Sequence, residues 1–414
     1  MAYHLGVIAP RTRRPARAAG ALATATVLLA LGACAAPQPA GTTAPPRSPA
    51  ESSAPNDAPR PGASPAAPPS PSPSAERAPA ELLLATQAER DTLAVVDPSV
   101  RRGSAVVDEI TVGAAPWDVA VDEDSRRAYV STAEGVAVVD LDARERTDLF
   151  SYEHGTTRVA FGEYRRGGLG LAVSPDGERV HVAVSTGDAA FLETLHAATG
   201  EVVSSVPVGL RPFDVLVSDD GDEVYTVDHD GFTVTVVDPE RGRARAIEVA
   251  PFGRAGGLAS FEKPHYAVLD GDLLLPYQGR VLARVDPDSG DVTTTDLTAD
   301  SHQHGVARAD DGTLVIAGNG PFGNAGSGPS IEVVGPDGTD VVLPTDRRHE
   351  TVAVWHGPDD EAYGVLAGGY TQQEAWDGAT VVPISAALDG VDESYEITIP
   401  GRPQSVVPYQ EDRP

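Results

Sequence analysis

Pro116-Trp117-Asp118-Val119-Ala120-Val121 and Pro212-Phe213-Asp214-Val215-Leu216-Val217 are two copies of one phrase. Each opens on a proline and runs on in alternating apolar residues, the period-two signature of a half-buried strand. A charged turn and a second strand follow each copy, Arg127-Ala128-Tyr129-Val130-Ser131 after the first and Glu223-Val224-Tyr225-Thr226-Val227 after the second. Third strands share an ending, in Val138-Val139-Asp140, Val236-Val237-Asp238 and Arg284-Val285-Asp286. From Glu81 onward, groups of four short strands recur about every 40–50 residues, which is the spacing of propeller blades.

First strands begin near residues 116, 168, 212, 264, 303 and 349, giving six complete four-strand units. A seventh, Arg402-Pro403-Gln404-Ser405-Val406-Val407, has no strand after it. The chain instead begins the repeat region with three strands that lack a first one: Glu81–Gln87, Thr92–Asp97 and Ala105–Gly113. The two fragments complement each other. The sequence therefore predicts an all-β, seven-bladed β-propeller over residues 81–414, in which the C-terminal strand completes the first blade and leaves no open edge. The phrasing Pro-x-x-Val-x-Val, Tyr-Val and Val-Asp resembles the YVTN repeats of bacterial surface-layer and YncE-like propellers. The resemblance covers Glu81 to the C-terminus. It implies the fold and no single activity, because such propellers serve many purposes.

Residues 1–33 read as an export signal. Arg11, Arg13, Arg14 and Arg17 form a positive region, and the apolar stretch from Ala18 to Leu31 is too short to span about 30 Å of hydrocarbon. Leu31-Gly32-Ala33-Cys34 then resembles a bacterial lipobox, and Cys34 is the chain's single cysteine. The resemblance implies diacylation at Cys34, membrane attachment through the lipid alone and an extracytoplasmic location. Residues 34–80, rich in Pro, Ala and Ser, cannot bury enough apolar surface to order themselves. They are expected to form an extended tether, on the order of 100 Å long at about 3.1 Å per residue. One cysteine also excludes an internal disulfide and a cysteine-based zinc site. A net charge of −30 excludes nucleic acid as a partner, because phosphate binding needs a basic surface.

Aligning the starts of the first strands sets equivalent positions side by side around the ring: Trp117, Leu169, Phe213, His265, His304, Glu350 and Gln404. Three consecutive blades thus present His265, His304 and Glu350 at matching places near the mouth of the channel. Neighbouring positions add His302 and His349. His229, in a loop between second and third strands, belongs to the same end, as does His154 in the insert entering the third blade. Neutral imidazole and carboxylate suit zinc and related divalent ions. A ring of equivalent positions is one way to converge ligands that are far apart in sequence. Two other readings stay open, a polar organic ligand and purely structural histidines. By contrast, Asp286-Pro287-Asp288-Ser289-Gly290-Asp291 has the composition that a tight turn requires and is not taken as a calcium loop.

Lys263-Pro264-His265-Tyr266, His302-Gln303-His304-Gly305-Val306-Ala307 and His349-Glu350 are also similar to segments of periplasmic zinc metallochaperone propellers that serve ABC importers. The resemblance implies zinc at these residues. The chain departs from that family in its tether, which carries no His and so lacks the expected His/Asp-rich segment. No Gly-x-Ser-x-Gly elbow and no phosphate-binding loop occurs. Catalysis would have to come from a metal that activates water for lactone or ester hydrolysis, with Glu350 or Asp230 as acid or base. The leading expectation is a surface-tethered binding propeller for a divalent metal. The alternative is a scaffold that offers its loop face to an envelope protein or wall polymer.

Overall fold

The computed structural model describes residues 80–156, 158–162, 164–249, 263–277, 280–321, 325–369 and 375–411. The expected lipobox with Cys34 and the expected tether up to residue 79 lie outside the described residues. Among the described residues, twenty-eight strands form seven four-stranded antiparallel sheets. In the first sheet, β1 (Ala80–Gln87), β2 (Thr92–Val96) and β3 (Val106–Thr111) are joined by β28 (Pro403–Glu411). The pairing runs from Ala80 opposite Glu411 to Gln87 opposite Pro403, so the two ends of the repeat region share one ladder. The strands between fall in consecutive fours. Three strands plus one close the ring, as the orphan strands of the sequence require.

Each sheet contributes to two apolar layers, one against each neighbour. Tyr129, Leu171, Val180, Val182, Val184 and Leu195 pack between the second and third blades. Ala183, Leu192, Val206, Val215 and Val224 pack between the third and fourth. Fourth strands are mostly exposed, as in Arg243–Glu248, and carry the solvent side of each blade.

The first strands hold the clue to the channel. In β8 (Gly167–Val173), β12 (Pro212–Val217), β20 (Gln303–Arg308) and the β1–β28 pair, the register shifts near the start of the strand. Each shift leaves an extra residue on the first strand, a β-bulge that bends the chain and re-aims its side chains. Leu169, Phe213, His304 and Gln404 all fall inside these bulges. The fifth blade departs from expectation in detail: its first strand, β16 (Val268–Asp270), is short, with a single bridge from Pro264 to Tyr277 upstream.

Residues one step past the axis clasp blade to blade. Asp118 Oδ2 accepts from Leu171 N–H at 2.9 Å, and Asp214 Oδ2 accepts from Ala267 N–H at 2.9 Å. Thr351 Oγ1 donates to Gln404 O at 2.7 Å, and Ser405 Oγ donates to Asp118 Oδ1 at 2.8 Å. Gly170 occupies the same position in the third blade, where a Cβ would lie 2.6 Å from the Asp214 backbone. Only glycine admits so close an approach.

Candidate metal centre

Trp117, Leu169 and Phe213 meet at one side of the axis with Ala88, all of them buried, and Tyr266 packs against them. The Trp117 and Phe213 rings are 5.2 Å apart. From Phe213 the contacts pass to imidazoles: His229 at 4.8 Å and His265 at 5.9 Å between ring centroids. The channel mouth is thus half hydrocarbon and half imidazole.

His265, His302 and His304 form the centre of the polar half. One nitrogen from each lies within 4.8 Å of the others, and all three residues are buried. The rings of His265 and His304 stack at 3.8 Å, and those of His302 and His304 lie 4.7 Å apart. His265 Nδ1 is buried with no hydrogen-bond partner among the described residues. An orphaned buried polar atom costs stability unless something fills the gap. Burial drives the His265 pKa well below the ordinary imidazole value, and the neighbouring His304, His229 and His302 push it the same way. The ring is therefore neutral, the form that ligates metals.

Glu350 stands beside the trio. Its Oε1 is 3.3 Å from His304 Nδ1, and both side chains are buried. A carboxylate on Nδ1 fixes the ring and leaves Nε2 for other duty, the usual arrangement behind a metal-bound histidine. Gly369 adopts φ +63° against the Glu350 Cβ, where an added Cβ would sit 2.4 Å away. His229 has a similar backing. Its ring lies edge-on to His265 at 4.4 Å, while Nδ1 is 3.1 Å from Asp230 Oδ1. Burial lowers the His229 pKa to about 4, although Asp230 acts in the opposite direction.

Asp230 is itself held by Lys263 Nζ at 2.6 Å and Arg211 Nε at 3.0 Å. Burial would raise its pKa, but hydrogen bonds from His229 and Lys263 win and hold the carboxyl well below the usual range. Sequence reasoning met Lys263 only within the segment similar to metallochaperones, did not pair it with Asp230, and passed over Arg211. The available signal was that Lys263 is the only lysine in the chain.

The remaining candidates lie elsewhere. His349 Nε2 bonds Thr380 Oγ1 at 2.8 Å and its ring stands edge-on to Trp376 at 6.0 Å, outside the trio. His154 stacks on Phe191 at 3.7 Å, with Nδ1 3.1 Å from Glu193 Oε1, in the insert of the third blade. The Asp286–Asp291 segment is a turn: Ser289 Oγ donates to Asp286 Oδ2 at 2.6 Å and Gly290 N–H to Asp286 O at 2.9 Å.

Around a tetrahedral ion with metal–nitrogen bonds of about 2.0–2.1 Å, ligand nitrogens lie about 3.3 Å apart, so the trio, spaced within 4.8 Å, would have to draw inward to bind one. The His265–His302–His304 group could hold a metal ion.

No known protein family and no curated protein matches the sequence. Among solved structures, the chain is similar to Kuenenia stuttgartiensis hydrazine synthase at 17% identity and a TM-score of 0.54, over 69% of this chain and 89% of that one. It is also similar to a functionally unknown protein from Desulfotomaculum acetoxidans DSM 771 at 10% identity and a TM-score of 0.57, over 80% of this chain and 99% of that one. At such identities the likeness is one of fold alone.

Proposed function

We propose that the protein is a divalent-metal-binding propeller, with zinc as its preferred ion, carried outside the cell on a lipid at Cys34. The observation that supports this most is the convergence of His265, His302 and His304 from two consecutive blades, with ligand nitrogens within 4.8 Å of one another. In this reading His265, His302 and His304 are the ligands. Glu350 positions His304, and the Asp230–Lys263–Arg211 network positions His229, whose ring lies edge-on to His265 at 4.4 Å. Three imidazoles are neutral ligands, so the bound ion keeps its double charge, and Glu350 and Asp230 compensate that charge nearby. The lipobox and the Pro-rich segment support the tethering.

Elemental analysis of the protein, purified without a polyhistidine tag, tests the reading beside a His265→Ala/His304→Ala double variant. Near one equivalent of zinc in the wild type and little in the variant is the expected outcome. No metal in either protein after zinc addition and desalting overturns it.

A further inference from the structure

A second cavity lies far along the chain from the histidine trio, between the third and fourth blades. It is a cleft of about 620 Å³ near the turns that join first to second strands. Its origin is legible in the repeat. Second strands in two other blades put a tyrosine at one fixed place, opposite the residue three past the axis position of the first strand: Tyr129 opposite Ala120 and Tyr225 opposite Leu216. Both tyrosines are buried in the layer against the next blade. The third blade has His181 there, opposite Ala172. Ala183, two residues on and so on the same side of the strand, packs toward the fourth blade. A smaller, polar ring has replaced a phenol, and the gap remains.

His181 is 2% exposed and lines the cleft together with Thr194. Its Nδ1 lies 3.0 Å from Thr194 Oγ1, while Nε2 is buried with no hydrogen-bond partner. Burial lowers its pKa to about 4, and Arg179 adds to the effect, so the ring is neutral at physiological pH. With Nδ1–H donating to Thr194, Nε2 presents a lone pair and asks for a donor.

The walls supply negative charge. Asp176 and Glu178 line the cleft from the third blade, and Asp220, Asp222 and Glu240 line it from the fourth, against Arg179 alone. Hydrogen bonds from Ser174 and the Glu178 N–H hold Asp176 ionised, and those from Ser218 and the Asp222 N–H do the same for Asp220. A divalent ion does not suit this geometry. Among the described residues, no carboxylates here converge with His181 to ligand distances, as the trio on the axis does. Charges spread over two walls of a cleft match a cation that is itself extended.

We infer that this cleft binds a small organic amine, whose ammonium groups reach the carboxylates of both walls and give one N–H to His181 Nε2. The cleft and the metal centre share no residue, so either can stand without the other.

Spermidine is the probe, titrated calorimetrically into the whole protein at low and physiological salt. The expected result is saturable binding that weakens at least tenfold in His181→Tyr, which installs the residue the second and fourth blades use and fills the gap. Asp220→Asn/Glu240→Gln, both exposed turn positions, should also weaken binding severalfold without loss of melting temperature. His265→Ala/His304→Ala should bind spermidine as the wild type does. Absence of binding, equal binding by His181→Tyr and by the turn variant, or loss of binding in the axis variant would each overturn the assignment. If His181→Tyr does not fold, as judged by circular dichroism, the turn variant alone decides.

Discussion

Two halves of one ring, built from equivalent positions, differ in what they hold. Trp117, Leu169 and Phe213 plug one side of the channel mouth with buried hydrocarbon. His265 and His304, at the same step of the repeat, gather imidazoles with His302 on the other side. The backbone device is shared, since Leu169, Phe213 and His304 all sit in bulges at the starts of first strands. What differs is the cost of leaving the site empty. An apolar plug is complete as it stands, whereas the His265 Nδ1 is left without a partner. A fold that leaves a buried imidazole nitrogen unpartnered at a position where its sibling blades place hydrocarbon has the marks of a scaffold plus a site.

The comparison breaks most easily at its apolar half. Trp117→Ala should cost about 3–5 kcal/mol, the usual penalty for emptying a large buried aromatic site. His302→Ala, measured in chelator, should cost clearly less. Chemical denaturation of both variants checks this, and equal losses would mean that the two halves are equally structural.

The next effect belongs to the metal. Zinc at 100 times its dissociation constant should stabilise the wild type by about 2.7 kcal/mol, through binding to the native state alone. The His265→Ala/His304→Ala variant should gain almost nothing. Thermal melts with and without zinc separate the two. Glu350→Gln should keep the fold and weaken zinc affinity by about 10–100-fold, the range typical of a lost carboxylate behind a ligand histidine. A competition titration with a chelating dye reads that loss; unchanged affinity would leave Glu350 with a packing role only.

The smallest effect concerns pH in the chelated protein. Burial raises Asp118 to about 6 and Asp214 to about 7, against an unfolded value of about 3.9. The folded state therefore keeps protons that the unfolded chain releases, and this stability is lost as pH rises through 6 to 7. Burial lowers His181 to about 4 and His349 to about 3, from about 6.5 unfolded. Their contribution is present above pH 6.5 and lost as pH falls toward those values. The two sets oppose each other up to about pH 7.5, because the unfolded histidines titrate around pH 6.5. Relative to an Asp118→Asn/Asp214→Asn variant, the wild type should lose about 1 kcal/mol per raised carboxylate between pH 6 and 8. A stability difference between the two proteins that stays constant over this interval would contradict the assignment.

Much of this was legible in the sequence. The orphan strands at each end of the repeat region required the closure that β1 and β28 make. Alignment of first-strand starts placed His265, His304 and Glu350 around one mouth. Side-chain direction was less accessible. A period-two reading assumes a regular pleat, and the bulges break that pleat at the very residues that face the axis. The role of Glu350 as a partner of His304, and the capture of His349 by Thr380, depend on distances between blades that no local pattern encodes. The Lys263–Asp230–Arg211 network joins the ends of two strands and a loop, so it too emerges only once the ring has closed. His181 was visible as a departure from a tyrosine in the repeat, but the volume it leaves is a property of the packed blades.

The most direct test of the imidazole half is X-ray absorption at the zinc edge of the zinc-loaded protein. The account predicts a low-coordinate shell of nitrogen and oxygen at about 2.0–2.1 Å, with the outer-shell scattering of several imidazoles. That signal should vanish in His265→Ala/His304→Ala. A shell of oxygen ligands without imidazole scattering, or a histidine signal that survives in the double variant, would contradict it.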